Sequence, residues 1–286
     1  MFKRVIEKIN GLYGRLFPAD GFSYYRHSAP VRVMHWLNVL FIIIMLMSGL
    51  NIFNAHPALY LGESSYSGRS PVFKTGTGEN DKGEISGYLY LFGIKFNTTV
   101  LSGDSQKRAA RFEFPSWITI PGHRWLAMAR RWHFFFAWLL VLNGLTFVIY
   151  SAISRHLQKE LVPTKQDLKT IGKSVIDHLH FKHAAGEESK NYNVLQKLAY
   201  LSVIFILVPM AILAGLGMSP AMNSLYPSWF SSIAGRQTVR TLHFIIAASL
   251  VLFVFIHIFE IIINGFRNNV HSMITGYFRV KQEKEK

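Results

Sequence analysis

Four long apolar stretches punctuate the chain, at about 33–53, 132–153, 198–218 and 242–263. Each is long enough to cross a bilayer as a helix, which takes about 20 apolar residues. A soluble protein with four such runs would expose very large apolar patches, so a soluble fold is set aside. Between the runs the pattern changes period. Residues 2–17 place Phe2, Val5, Ile6, Ile9, Leu12, Tyr13, Leu16 and Phe17 on one face of a basic helix, suited to a membrane surface or to packing on its own membrane domain. Tyr88–Phe92 and Ile94–Phe96 alternate as short strands do. After Pro163, the spacing of Ile171, Val175, Ile176 and Leu179 predicts an amphipathic helix. Pro30 suits the first turn of the first span, and Pro209 should kink or locally break the third. The expected fold is an all-α integral membrane protein with four transmembrane helices. An N-terminal arm (1–32) precedes a membrane domain (33–266) and a basic tail (267–286). A long outer loop (54–131) joins the first two spans, and an inner loop (154–197) joins the next two.

The formal charge of +15 could suggest nucleic acid, but basic residues beside membrane spans have a topological reason. Lys and Arg number 19 across the arm, the inner loop and the tail, against 12 across the other two loops. That asymmetry puts both termini in the cytoplasm. The 286-residue chain has no cysteine, which excludes iron–sulfur clusters, thiolate metal sites, disulfides and covalently attached c-type haem. The first seventeen residues lack the apolar core and small-residue site of a cleavable signal, so the first span is expected to act as the insertion signal. The outer loop is rich in Gly, Ser and Tyr. Its aromatics argue for a folded cap, and its length for a docking surface.

Ionisable residues inside the spans carry the chemistry. His243 and His257 share the fourth span, fourteen positions apart, which is about 21 Å of rise and about 40° short of whole turns. Both rings therefore face nearly the same way, one near each side of a ~30 Å hydrocarbon core. With the expected topology, His35 on the first span falls at the depth of His257, near the inner face. His133 on the second falls at the depth of His243, near the outer face. Two opposed imidazoles at one depth suit the axial positions of iron in a planar macrocycle. Zinc would require three or four ligands at one level, which are absent. His56 and His123 show no partner spacing, and His178, His180 and His183 read as a solvated surface cluster.

Other residues fall into register with these four. Arg32, Arg130 and Arg240 each precede a histidine by three positions, on its face and one turn nearer water. They could meet haem propionates or simply flank the spans. Gly49 lies fourteen residues after His35, and Gly144 eleven after His133. Each could leave clearance for a bulky planar group, or serve close helix packing. Glu260, one turn beyond His257, could handle quinone protons or end the helix. Asn38, Asn193 and Gln196 are weaker candidates of the same kind.

Arg32-x-x-His35-Trp-Leu-Asn38, Trp132-His133-Phe-Phe-Phe136 and the pair His243/His257 resemble the bacterial cytochrome b561 superfamily, in particular the membrane cytochrome b subunits of nickel–iron hydrogenases and formate dehydrogenases. The stretches 51–60, 192–200 and 272–276 resemble a subgroup encoded beside periplasmic molybdopterin oxidoreductases. The likeness covers the spans, a third to a half of the chain. It implies two b-type haems on His35/His257 and His133/His243, and electron passage between a periplasmic redox subunit and the quinone pool across the bacterial inner membrane. No quinone-site motif is carried over. The alternative is a stand-alone quinone-coupled haem oxidoreductase, a superoxide oxidase or ferric reductase, which would need no docking cap.

Overall fold

The computed structural model describes residues 22–65, 68, 70–79, 83, 85–97, 114–122, 125–180, 192–226 and 235–280. The helix expected over 2–17, His123, His183 and the last six residues lie outside the described residues, as does the side chain of His178. Four helices are long and apolar enough to cross a membrane: Ala29–Ala55 (α1), Leu126–Ser154 (α2), the run Val194–Gly217, and Arg236–Ile263 (α8). Each outruns its apolar stretch at one end or both, because a helix keeps its hydrogen bonds through the polar flanks. Large apolar side chains along their length face outward, Val33, Ile153 and Phe255 among them. Lipid is the environment that satisfies such surfaces.

The third span is not one regular helix. It comprises Val194–Ser202 (α5), a π turn at Val203–Leu207 and Val208–Gly217 (α6). Pro209 explains the irregularity: it has no N–H, and its ring opposes the carbonyl four residues earlier, at Phe205. The local break expected from the sequence takes the form of a π turn. Asn193 caps α5, its side chain accepting from Leu195 N while Gln196 answers to Asn193 N. Two of the weaker polar candidates thus start a helix.

The chain divides into two compact units, each including a segment of every long helix. The first unit comprises 1–36, 146–203 and 252–286. It contains the helices Lys165–Lys169 (α3) and Ile171–Leu179 (α4), the latter on the expected period. Thr164 and Asp167 form a capping box at α3, and Lys197 donates to Asp167 at 2.9 Å. In place of a simple basic tail, residues 266–280 form a helix, Phe266–Thr275 (α9), and a strand, Tyr277–Val280 (β6). β6 pairs antiparallel with Phe22–Tyr25 (β1), Phe22 opposite Val280. A four-residue strand has too few positions to display a period. Its partner lies some 250 residues away, so local patterning could not announce the pair. Gly276 makes the junction: its φ is 93°, and a Cβ there would meet Tyr25 and the His27 carbonyl.

The second unit comprises 37–145 and 204–251. It holds the cap, an antiparallel sheet in the order β2 (Ala58–Leu59), β3 (Phe73–Glu79), β4 (Ile85–Leu91), β5 (Ile94–Asn97). Both alternating stretches of the sequence are strands here, except that Phe92 falls in the turn between β4 and β5. A six-residue helix, Pro220–Leu225 (α7), follows the third span. The cap is tied down by polar side chains. Asn54 exchanges two hydrogen bonds with the Phe114 backbone, and Asn51 donates to the carbonyls of Ile120 and Gly122. At the start of α8, Thr241 donates to Tyr60 O, and Gly62 N donates to Thr238.

Candidate functional site

The four span histidines come together as two pairs, one in each unit. In the first unit the rings of His35 on α1 and His257 on α8 have centroids 6.4 Å apart. In the second, His133 on α2 and His243 on α8 are 6.2 Å apart. A metal-bound imidazole nitrogen sits about 2.0–2.1 Å from the ion and the ring centre roughly 1.1 Å behind it, so two rings opposed across one iron stand about 6.3 Å apart. Both separations fit that arrangement. Direct stacking would bring the rings closer. Among the described residues, no group of three or more His, Asp or Glu could form a metal-ion cage. The donor set therefore suits a macrocycle that supplies its own equatorial ligands.

The pairs differ in their surroundings. His243 Nδ1 donates to the Ala211 carbonyl on α6 at 3.0 Å. That fixes the proton on Nδ1 and leaves the Nε2 lone pair free for a metal. His133 Nδ1 lies 3.1 Å from Ser48 Oγ on α1. Glycines make room beside both rings. A Cβ at Gly49 would sit 3.3 Å from His133 Cε1, and one at Gly215 would sit 3.5 Å from His243 Cε1. Gly49 lies directly beside the His133 imidazole. A Cβ at Gly144 would meet nothing within 4 Å, so that position is open.

In the first unit, His35 Nδ1 is buried without a hydrogen-bond partner. Its ring meets Trp36 edge-on. His257 stacks on Phe253, one turn earlier on its own helix, at 5.8 Å and 11°, and meets Tyr200 edge-on. α1 is pinned on either side of His35 by the end of α9: Arg32 Nη1 donates to Ile274 O, and Trp36 Nε1 donates to Met273 O at 3.0 Å. These carbonyls belong to the last turn of α9, where backbone acceptors lack helical partners. Nearby, His27 is buried, and burial, reinforced by the charge of Arg26, lowers its pKa to about 3. The Arg26 guanidinium lies over the rings of Phe278 and Tyr192.

The arginines are placed differently from one another. Arg32 keeps a buried Nε without a partner, a donor still available to an anion. Arg130 is exposed. Arg240 uses two N–H groups on backbone carbonyls, Ala58 O at 2.9 Å and His56 O at 2.5 Å, and so clamps the strand β2. The carboxylate of Glu260 accepts from Asn264 one turn on, at 3.0 Å. Asn38 accepts from Asn143 at 2.7 Å, joining α1 to α2. Sequence reading missed Ser48, Gly215, the Ala211 carbonyl and α9. A serine beside a glycine in mid-span is a signal for the first. The carbonyl carries no sequence signal at all.

The family described as prokaryotic cytochrome b561 matches residues 26–276 of the chain. The chain is also similar to a protein of Azospira oryzae named as a protein-methionine-sulfoxide reductase subunit, YedZ1. The two are 28% identical over 232 residues, covering 81% of this chain and 87% of the relative.

Proposed function

This chain belongs to the prokaryotic cytochrome b561 family, membrane proteins that carry b-type haem and transfer electrons, and we propose that it binds two haems and passes electrons across the bacterial inner membrane between the quinone pool and a periplasmic partner. The matched ring separations of 6.4 and 6.2 Å carry the two-haem reading. Bound there, each haem would supply a one-electron couple. The histidines hold and orient it, His35 with His257 and His133 with His243. Two imidazoles holding one haem would suit electron transfer rather than substrate chemistry. α8 serves both sites, its two histidines separated by about 21 Å of helix rise. Arg32, with a free buried Nε, is assigned to a propionate; Arg130 and Arg240 are the corresponding candidates beside His133 and His243. The open position at Gly144 is consistent with clearance for a macrocycle. Glu260, hydrogen-bonded to Asn264, is the candidate for proton exchange with quinone.

The periplasmic partner is assigned as a molybdopterin oxidoreductase docking on the sheet cap. Two observations support this over a stand-alone oxidoreductase: the outer segment folds into four strands, and the Azospira relative is named as a reductase subunit. Both termini are assigned to the cytoplasm. The test is a reduced-minus-oxidised spectrum with a haem-to-protein ratio. Two b-type haems per chain are expected, and His35→Ala and His257→Ala should each remove the same one. No b-type band in the purified parent would overturn the reading, and loss of different haems would overturn the pairing. Copurification of a molybdenum-containing subunit, abolished by replacing residues 73–97 with a short linker, checks the partner.

A further inference from the structure

Ser48 stands apart from the residues assigned so far. It is fully buried in mid-helix on α1, a helix that contributes no histidine to the second unit's pair. Its hydroxyl has one proton to give. The Ile44 carbonyl, 2.7 Å away, is the best placed acceptor, with Met45 O more distant at 3.2 Å. The oxygen therefore faces His133 Nδ1, 3.1 Å away, with a lone pair. The proton of that contact belongs to the imidazole, which also hydrogen-bonds to the Met45 backbone. His133 is then protonated on Nδ1 and bare on Nε2, the same tautomer that the Ala211 carbonyl enforces on His243. Gly49, next in the chain, lets the ring approach α1 closely enough for this bond. In the first unit, by contrast, the Nδ1 of His35 is buried and unpartnered.

We propose that Ser48 is a positioning residue for the redox centre of the second unit: with the Met45 backbone it fixes the tautomer of His133 and, by accepting a hydrogen bond from Nδ1–H, lowers the reduction potential of the haem ligated there. This rests on the reading of His133 and His243 as axial ligands. An Nδ1–H donated to an acceptor makes the opposite nitrogen a more basic ligand. A more basic ligand stabilises ferric over ferrous iron and makes reduction harder. The effect is local to one of the two haems.

The experiment is a spectroelectrochemical titration of the full-length, haem-loaded protein in detergent, comparing the parent with Ser48→Ala and Ser48→Cys. The thiol of Ser48→Cys fills the space that Ser48→Ala vacates but accepts hydrogen bonds poorly, so it guards against a cavity artefact in Ser48→Ala. Both variants are expected to keep two haems per chain. One midpoint should rise, by a three- to tenfold change in the reduction equilibrium, about 28–59 mV for one electron at 59 mV per tenfold. The other should stay fixed. A merely structural role for Ser48 would lower haem content without moving the potential of what remains, and that result overturns the proposal. Two unmoved midpoints with full haem content also overturn it, while leaving axial ligation intact. Absence of b-type bands from the parent removes the ligation reading itself and the proposal with it.

Discussion

The two histidine pairs have nearly the same spacing and share α8, yet they are built in opposite ways. In the second unit each ring is held from outside the pair. A helix that contributes no histidine there supplies both a hydrogen-bond acceptor and a glycine: Ser48–Gly49 of α1 for His133, Ala211 and Gly215 of α6 for His243. In the first unit His257 packs among aromatic rings, and His35 is positioned through its neighbours, Arg32 and Trp36, which hang from the end of α9. One pair is fixed directly at its rings. In the other the helix is fixed and the ring follows. The difference teaches what each site can tolerate. Direct contact transmits every change of volume to an imidazole. An indirectly held ring is insulated from single contacts but depends on a terminal segment remaining docked.

The largest expected effect tests that claim at Gly49. A Cβ there stands at 3.3 Å from His133, already tighter than ordinary contact. Gly49→Val adds two methyl groups beyond it against a packed ring, and overpacking of this kind costs about 1–3 kcal/mol even where the neighbour can yield. His133 should swing away from His243. The expected outcome is loss of one haem per chain, with the spectrum of the other intact. Loss of both would show that the sites are not separately built. Gly144→Ala, where nothing lies within 4 Å, is the matched control for a small-residue change in a span.

Stability should divide along the same line. Arg240→Gln removes two charge-assisted bonds to His56 O and Ala58 O, each of a class worth about 1.5–3 kcal/mol. Arg32→Gln removes the single bond to Ile274 O. Thermal unfolding followed at the haem bands should put the Arg240 variant lower, by about 2–3 kcal/mol, with residues 56–62 newly open to protease. Next in size is acid sensitivity in the first unit. His27 is neutral in the fold, its pKa lowered to about 3 by burial and the nearby positive charge of Arg26. An unfolded chain would take up that proton near pH 6.5. Stability from this group is therefore complete above about pH 6.5 and falls as the pH drops toward 3, by about 2 kcal/mol at pH 5. His27→Asn should flatten the fall in unfolding midpoint between pH 7 and pH 5; an unchanged slope would remove His27 as its source.

The spans, the strands of the cap and the four histidines were legible because each leaves a periodic or compositional trace. The apolar runs and the fourteen-residue spacing on α8 belong to a single helix, so local arithmetic suffices. What was illegible is contact between elements far apart in the chain. Ser48 lies 85 residues from His133, and Arg32 lies 242 from Ile274. Neither periodicity nor composition relates such positions. The acceptor for His243 is a backbone carbonyl, which any residue at 211 would present. α9 and β6 were read as a tail because ten- and four-residue elements rich in polar groups resemble a solvated end until their partners are known. Arg240 shows the remaining difficulty. Its register with His243 is real, yet two of its donors serve β2, because a cation at a span boundary meets whichever acceptors the cap presents there.

The smallest expected effect discriminates most finely between the two ways of building a site. At Gly215 a new Cβ would stand 3.5 Å from His243 Cε1, an ordinary van der Waals contact, where Gly49 is tighter by two tenths of an ångström. Alanine also favours a helix over glycine by about 1 kcal/mol at an exposed site. These terms oppose each other at 215, so Gly215→Ala should leave haem content at two and shift the unfolding midpoint by less than about 1 kcal/mol. Gly49→Ala, with the closer ring, should lose part of the occupancy of its site under the same conditions. If both alanines are silent, the glycines serve only the approach of helices, and the rings have more room than the distances imply. If Gly215→Ala is the more damaging, the hydrogen bond to Ala211 is the rigid element, because a ring anchored by a backbone carbonyl cannot give way as one anchored by a serine hydroxyl can.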